Sequence, residues 1–146
     1  KFGMEYIDAD GSRKIPYIIH RTSLGCYERT LALLIEKYAG ALPLWLSSTQ
    51  VEIMPISDAQ LEYATTLYNK LDTAGIRAHI DNRNEKIGYK IRQAQLEKVP
   101  YMLVIGDKEI ESGAVAVRSR KTGETEVMSA DELVSKLVIE IATKAL

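Results

Sequence analysis

The run YMLVI at residues 101–105 decides the fold that the sequence predicts. It follows Val99-Pro100, which ends the preceding helical pattern, and it stops at Gly106. A strand that is apolar at every position is typical of a strand buried on both faces, as in parallel sheets with helices on either side. We therefore expect residues 101–105 to form a central strand of an α/β fold.

Patterns on either side of this strand alternate between strand and helix. A Ser57–Gln60 capping box opens a helix that ends near Gly75, and a basic helix covers 88–97. Residues 106–113 are predicted to form a charged turn. A second capping box, Ser129–Glu132, opens the last helix. The other predicted strands cover 51–56, 76–80 and 114–120, and the inward residues predicted for the last helix are Val134, Leu137, Val138 and Ile141. Two crossovers then give three parallel strands, which the fourth joins in the antiparallel sense.

The first 46 residues have a different organisation. A hairpin is predicted around Asp10-Gly11, and a helix follows with Tyr27, Leu31, Leu34 and Tyr38 on one face. Cys26 and Leu33 lie nearer the opposite side, so we expect a helix that is covered on both sides, with Arg29 reaching into a cleft. One hairpin and one helix are too small to build a core. The sequence therefore predicts that this chain was cut from something longer.

The amino-acid composition limits the classes of protein to which this chain can belong. The chain has 146 residues, of which 46% are hydrophobic and 27% charged, as in ordinary globular proteins. Its apolar runs are shorter than the roughly 18 residues of a membrane span. The single cysteine suits a reducing compartment, so we expect a cytoplasmic protein without a membrane partner. Residues 76–121 contain ten basic and six acidic residues in a chain of net charge −1, which favours phosphate contacts or, alternatively, an ordinary solvated surface.

Several stretches resemble one known family. Residues 18–29, Ile-Ile-His-Arg-Thr-Ser-Leu-Gly-Cys-Tyr-Glu-Arg, resemble the third signature motif of class II aminoacyl-tRNA synthetases, a strand, turn and helix with Gly-x-x-Glu-Arg at the junction. Residues 45–47, 81–88, 99–103 and 106–109 extend the likeness, so that the whole chain is similar to the C-terminal end of the threonyl-tRNA synthetase family. Ser48 departs from the family, which has proline at this linker position.

The resemblance implies two parts. Residues 1–46 would be the end of a catalytic domain, seen as a hairpin-plus-helix remnant, and residues 47–146 an anticodon-binding domain with a mixed five-stranded sheet and flanking helices. The full-length enzyme would be a homodimeric threonine–tRNA ligase, which forms threonyl-adenylate from ATP and threonine and transfers the threonyl group to its tRNA. This segment would recognise the anticodon loop of the threonine tRNA and would be catalytically inactive alone.

In the catalytic part, the resemblance assigns the catalytic role to Arg29, which would hold the triphosphate of ATP bound with Mg²⁺. Gly25 and Cys26 would line the adenylate site. His20 corresponds to one of three zinc ligands of the full-length enzyme, and the other two would lie before Lys1. We therefore expect no bound cofactor here and an empty zinc position at His20. The residues taken alone leave an alternative to each of these roles: Arg29 could form an ion pair on the surface, and His20 could have a structural role.

In the second part, the resemblance assigns base reading to three side chains whose chemistry suits it. A carboxylate accepts hydrogen bonds from guanine, an amide both donates and accepts, and a guanidinium bonds or stacks on a base. For the asparagine, an Asx turn or a helix cap is an alternative; for each cation, it is a solvated surface. The predicted base readers are Asn84, Glu109 and Arg118, and the predicted phosphate contacts are Arg83, Lys86, Arg92 and Arg120.

A second function class stays open at this point. A non-catalytic tRNA-binding or regulatory protein could use the same synthetase-like anticodon-binding domain. The intact Gly-x-x-Glu-Arg motif speaks against this reading, because a protein that only binds tRNA has no use for an arginine that faces ATP.

Overall fold

The structure is a computed structural model that describes residues 3–22 and 25–146. Ser23 and Leu24 of the predicted motif lie outside the described residues. The chain divides into two compact units, Lys1–Leu33 and Leu34–Leu146.

The first unit contains the predicted hairpin in a short form. Strands β1 (Tyr6–Ile7) and β2 (Arg13–Lys14) pair in the antiparallel sense, with Tyr6 opposite Lys14. Helix α1 (Tyr27–Tyr38) has the predicted bounds and continues into the second unit, but none of its residues is buried. The prediction of a helix covered on both sides is therefore wrong for this chain, since Tyr27 at 74% exposure and Leu31 at 51% pack against too little.

The second unit is built on the predicted mixed sheet of five strands, in the order β4-β3-β5-β6-β7. Strands β3, β4 and β5 are parallel, and β6 and β7 continue the sheet in the antiparallel sense. The apolar run 101–105 is the middle strand, as predicted. The strands are β3 (Val51–Pro55), β4 (Ala78–Ile80), β5 (Tyr101–Ile105), β6 (Ala114–Ser119) and β7 (Thr125–Ser129); the helices are α2 (Leu61–Thr73), α3 (Ile87–Leu96), α4 (Asp107–Ser112) and α5 (Ala130–Ala142).

Helices cover both faces of the sheet, unequally. Because successive side chains of a strand point to opposite faces, Ile53 and Met54 enter different cores. Ile53 belongs to the larger core, which contains Leu67 of α2 and Leu137 of α5. Met54 belongs to a smaller core with Ala94 of α3. The chain thus winds to one face after β3 and to the other after β4.

The helix ends follow the predicted signals. The Ser57 N–H donates to Gln60 Oε1 at 2.7 Å, and the Glu132 N–H donates to Ser129 Oγ at 3.2 Å, so both capping boxes form. Gly75 has φ of +76°, the left-handed conformation that ends α2. Among the described residues, no helix is both long and apolar enough to span a bilayer.

Three local predictions are wrong. Residues 107–112 form α4 rather than a charged turn, and residues 125–129 form β7, which the residue pattern did not indicate, although the family resemblance implied a fifth strand. In α5, the predicted Leu137 is buried and Val134 and Ile141 pack against the core, but Val138 is 41% exposed and the inward position that the prediction missed is Leu133.

Candidate nucleic-acid interface

A crevice of about 130 Å³ opens where the parallel strands β3 and β4 end. Residues 55–58 leave β3 toward α2 on one face, whereas residues 82–85 leave β4 toward α3 on the other. Ligands of open α/β sheets bind at such a reversal of winding, outside the carboxyl ends of the strands. This crevice is the candidate site.

Lys90 of α3 holds the two sides of the crevice. Its side chain is buried at 3% exposure, and its Nζ donates to the Pro55 carbonyl at 3.1 Å and the Asp81 carbonyl at 2.9 Å. Sequence reasoning assigned no role to Lys90. The available signal was its place between Ile87 and Ile91 on the buried stripe of α3, because a lysine at a core-facing position is rarely buried without partners.

Asn84 lies in the wall of this crevice, with Ile56 and Ser57 opposite. Asn84 is exposed, and it lies three positions after the buried Asp81. The Asp81 N–H donates to the Ile53 carbonyl at 2.9 Å, which fixes the start of this loop to β3. The predicted base reader Asn84 therefore lies on a short exposed loop whose first residue is fixed to β3.

Glu109 follows the carboxyl end of β5, in the first turn of α4. Its Oε2 accepts a hydrogen bond from the Gly106 N–H at 2.9 Å and so caps the helix. A Cβ added at Gly106 would lie 3.0 Å from both Glu109 Oε2 and Ile56 Cδ1, which shows how closely the segment after β5 packs on the one after β3. Ile56 thus adjoins both the Asn84 crevice and the Glu109 segment.

Arg118 lies on the sheet itself, near the end of β6. It pairs with Met102 of β5 and Thr125 of β7. Its Nε atom is buried and has no hydrogen-bond partner within residues 3–22 and 25–146. A buried polar atom without a partner costs free energy, and such atoms call for an explanation such as a ligand.

The structure brings two of the three predicted base readers to one edge. Asn84 and Glu109 follow the carboxyl ends of β4 and β5, the two strands that flank β3, on either side of Ile56. Arg118 is separated from that edge, because Met102 lies three residues, or about 10 Å, before Ile105. A reader of several splayed bases needs such a spread, whereas a single small ligand does not.

The predicted phosphate contacts near the crevice differ in whether their side chains already have a partner in the protein. Arg83 donates to Asp81 through Nε at 2.9 Å and Nη2 at 2.7 Å. This pairing with Arg83 lowers the pKa of Asp81 and raises the pKa of Arg83, with Lys90 contributing further to the shift at Asp81. About half of the Arg83 side chain still faces solvent. Lys86 and Arg92 are exposed, at the start and on the outer side of α3.

Arg120 occupies a different environment from the other predicted phosphate contacts. Its guanidinium donates to the carbonyls of Leu42 at 2.7 Å, Ala41 at 3.3 Å, and Lys98. Burial lowers the pKa of Arg120. These contacts give Arg120 a role in holding residues 41–42 against the sheet, which the sequence did not indicate.

The residues predicted to face ATP lie in the first unit, and all of them are exposed. Gly25 has φ of +69° and its N–H donates to Thr22 Oγ1 at 3.1 Å, which forms the turn before α1. The Cys26 thiol donates to Glu28 Oε2 at 2.8 Å and lowers the pKa of that carboxyl. Arg29 is exposed near the start of α1. Their assignment to an adenylate site stays a prediction.

The residues around His20 do not fit a zinc ion. Zinc sites in proteins need three or four nitrogen, sulfur or oxygen ligands. Within the described part of the chain, no three His, Cys, Asp or Glu side chains are grouped so that they could hold a metal ion. His20 itself is exposed.

One known domain family matches the part of the chain that contains the crevice. The anticodon binding domain family matches residues 50–140, which include the sheet, the crevice and all three predicted base readers. The RNA binding domain of threonyl-tRNA synthetase from Cryptosporidium parvum is 36% identical, with a TM-score of 0.73, over 78% of this chain and 29% of that one.

Curated relatives extend the similarity to nearly the whole chain. A threonine–tRNA ligase from Clostridium perfringens is 55% identical over 144 residues, and one from Caldanaerobacter subterraneus is 49% identical over 146. The chain spans about a fifth of their length, 22% and 23% respectively. On the match over residues 50–140, this chain belongs to the anticodon binding domain family.

Proposed function

We propose that this chain is the anticodon-reading part of a threonine–tRNA ligase. Asn84, Glu109 and Arg118 recognise splayed bases of the anticodon loop of the threonine tRNA. The observation that carries this proposal is the crevice at the ends of β3 and β4, with Asn84 in its wall, inside the segment that matches the anticodon binding domain family. The buried, unpartnered Nε of Arg118 supports it, because a base or phosphate would supply the missing acceptor.

Each reader would supply a different part of the recognition. The Glu109 carboxylate accepts from guanine N1–H and N2–H₂ through an oxygen that the Gly106 N–H leaves available. The Asn84 amide donates and accepts at one Watson–Crick edge, and the Arg118 guanidinium bonds or stacks on another base. Arg83, Lys86 and Arg92 attract phosphates and carry no sequence information.

The catalytic steps would belong to the whole enzyme. It would work in the cytoplasm as a homodimer, activate threonine with ATP and Mg²⁺, and transfer the threonyl group to its tRNA. Arg29 would contact the ATP phosphates, with Gly25 and Cys26 beside the adenylate, and zinc would need ligands besides His20. In this part of the enzyme, binding is the expected activity. Purified chain should show background levels of threonine-dependent pyrophosphate exchange.

Filter binding with single variants tests the proposal. Asn84→Ala, Glu109→Ala and Arg118→Ala should each weaken binding to threonine tRNA by roughly 5- to 150-fold, the equivalent of about 1–3 kcal/mol. The same variants should change binding to a tRNA with a foreign anticodon by less than about twofold. Equal losses on both tRNAs would contradict base reading.

A further inference from the structure

Lys90 is a buried cation whose two recorded partners are both backbone carbonyls. At 3% exposure, its ammonium bonds the Pro55 carbonyl at 3.1 Å and the Asp81 carbonyl at 2.9 Å. Burying an ammonium is costly unless hydrogen bonds offset the lost hydration. A side chain that only filled the small core beside Ile87 and Ile91 would be aliphatic, so the charge at this position calls for a specific reason.

The two carbonyls lie at the point where the sheet opens. Parallel pairing of β3 with β4 extends to Ile53 opposite Ile80, and its last hydrogen bond runs from the Asp81 N–H to the Ile53 carbonyl at 2.9 Å. Pro55 is the last residue of β3, and Asp81 is the first after β4. Lys90 therefore crosslinks the two segments just beyond this last backbone hydrogen bond, and these segments form the walls of the crevice.

Asn84 depends on the same anchor. Asp81, three residues earlier, is held through its N–H by the Ile53 carbonyl, through its carbonyl by Lys90 and through its carboxylate by Arg83. The Arg83 contact ties the loop only to itself, since the two residues are two positions apart, and the Ile53 contact lies within the sheet. Lys90 ties Asp81 to Pro55, two residues further along β3, so it sets the distance between Asn84 and the opposite wall at Ile56 and Ser57.

We propose that Lys90 is a positioning residue for anticodon recognition: its ammonium, bonded to Pro55 and Asp81, holds Asn84 at the spacing that one anticodon base requires. This inference rests on the proposed function. In this arrangement Asn84 contacts the base, whereas Lys90, whose ammonium is bonded to the two carbonyls, determines where Asn84 lies.

A double-mutant cycle on this chain tests the proposal. The variants are Lys90→Met, Asn84→Ala and the pair, and the probe is an RNA hairpin with the threonine anticodon. Asn84→Ala should weaken binding about tenfold when Lys90 is present. In the Lys90→Met background it should weaken binding less than about twofold, because Asn84 has already lost its position.

Lys70→Met is the matched control. Lys70 lies on α2, which covers the opposite face of the sheet, and its ammonium bonds the exposed Asp131 at 2.7 Å. In that background Asn84→Ala should again cost about tenfold. Additive losses in the Lys90→Met background would overturn the proposal and leave Lys90 with a purely structural role.

Two further outcomes separate the possibilities. If Lys90→Met lacks a cooperative unfolding transition, the cycle is repeated with Lys90→Leu, which also has no N–H donor for the two carbonyls, and additivity there overturns the proposal equally. If the unmodified chain binds the threonine hairpin no better than a hairpin with a foreign anticodon, the proposed function itself fails. The present inference fails with it.

Discussion

Glu109 Oε2 accepts a hydrogen bond from the Gly106 N–H at 2.9 Å, so a predicted base reader also caps α4. The six-residue helix α4 has Ile110 as its sole apolar residue, and it ends at Gly113 with φ of +66°. Such a short helix depends on its caps. The same contact fixes the direction of the Glu109 carboxylate before any RNA arrives.

The two tasks of Glu109 separate in a pair of variants. Glu109→Gln keeps an oxygen for the Gly106 N–H but replaces a carboxylate oxygen by an amide donor, which guanine N–H groups repel. It should weaken binding to the threonine hairpin while the free energy of unfolding changes by less than about 0.5 kcal/mol. Glu109→Ala should lower that free energy by about 1 kcal/mol as well. Urea unfolding and filter binding check this, and unchanged RNA binding in Glu109→Gln would exclude base reading by Glu109.

We expect Arg118 to lower the free energy of unfolding of the chain and to strengthen its binding to RNA. Its buried Nε lacks a partner among the residues that the structure describes, so Arg118→Met should raise the free energy of unfolding by about 1 kcal/mol and weaken binding to the threonine hairpin. Arg77→Met is the control, because the Arg77 guanidinium bonds the Ser47 carbonyl at 2.8 Å and the Trp45 carbonyl at 3.1 Å. That variant should lose stability. A loss of stability in Arg118→Met would show that Nε has a partner in solution.

Arg92 and Arg120 should respond differently to the loss of their charge. The exposed Arg92 is predicted to contact phosphate, so Arg92→Ala should weaken binding to all hairpins evenly and reduce the salt slope of binding by about 1. Arg120 bonds the carbonyls of Leu42, Ala41 and Lys98, so Arg120→Ala should lower the free energy of unfolding by about 2 kcal/mol. A reduced salt slope in a stable Arg120→Ala protein would restore it as a phosphate contact.

Asp81 gives the chain an acid-sensitive contribution to stability. The Arg83 guanidinium holds the pKa of Asp81 below its ordinary value of about 4. A carboxyl with a lowered pKa in the folded state stabilises the fold above its ordinary pKa, and this contribution is lost as the pH falls through the folded-state value. Asp81→Asn should therefore lose stability at pH 7, and its stability should fall less than that of the unmodified chain between about pH 5 and pH 2. Parallel pH curves would contradict the role of this pair.

Much of the fold follows from local sequence signals, and the exceptions have physical reasons. The run 101–105 indicated the central strand, and two capping boxes marked the starts of helices. Helix α4 was missed because Ile110 is its only apolar residue, so no apolar period reveals it. Strand β7 was missed because four of its five residues are exposed.

The candidate site residues came from the family resemblance. The predicted strand ends agreed with Asn84 and Glu109, and their role as base readers stays a prediction. Lys90 was not singled out, because its function comes from two carbonyls that are distant in sequence, at positions 55 and 81. Arg120 was grouped with the surface cations for the same reason, since carbonyl partners leave no mark on the residue type.

The affinity of the unmodified chain for two RNA hairpins tests the central claim most directly. One hairpin carries the threonine anticodon, which ends in G-U, and the other differs only in those two bases. Anticodon reading predicts that the first binds at least about tenfold more tightly at the same salt concentration. Equal dissociation constants would contradict it.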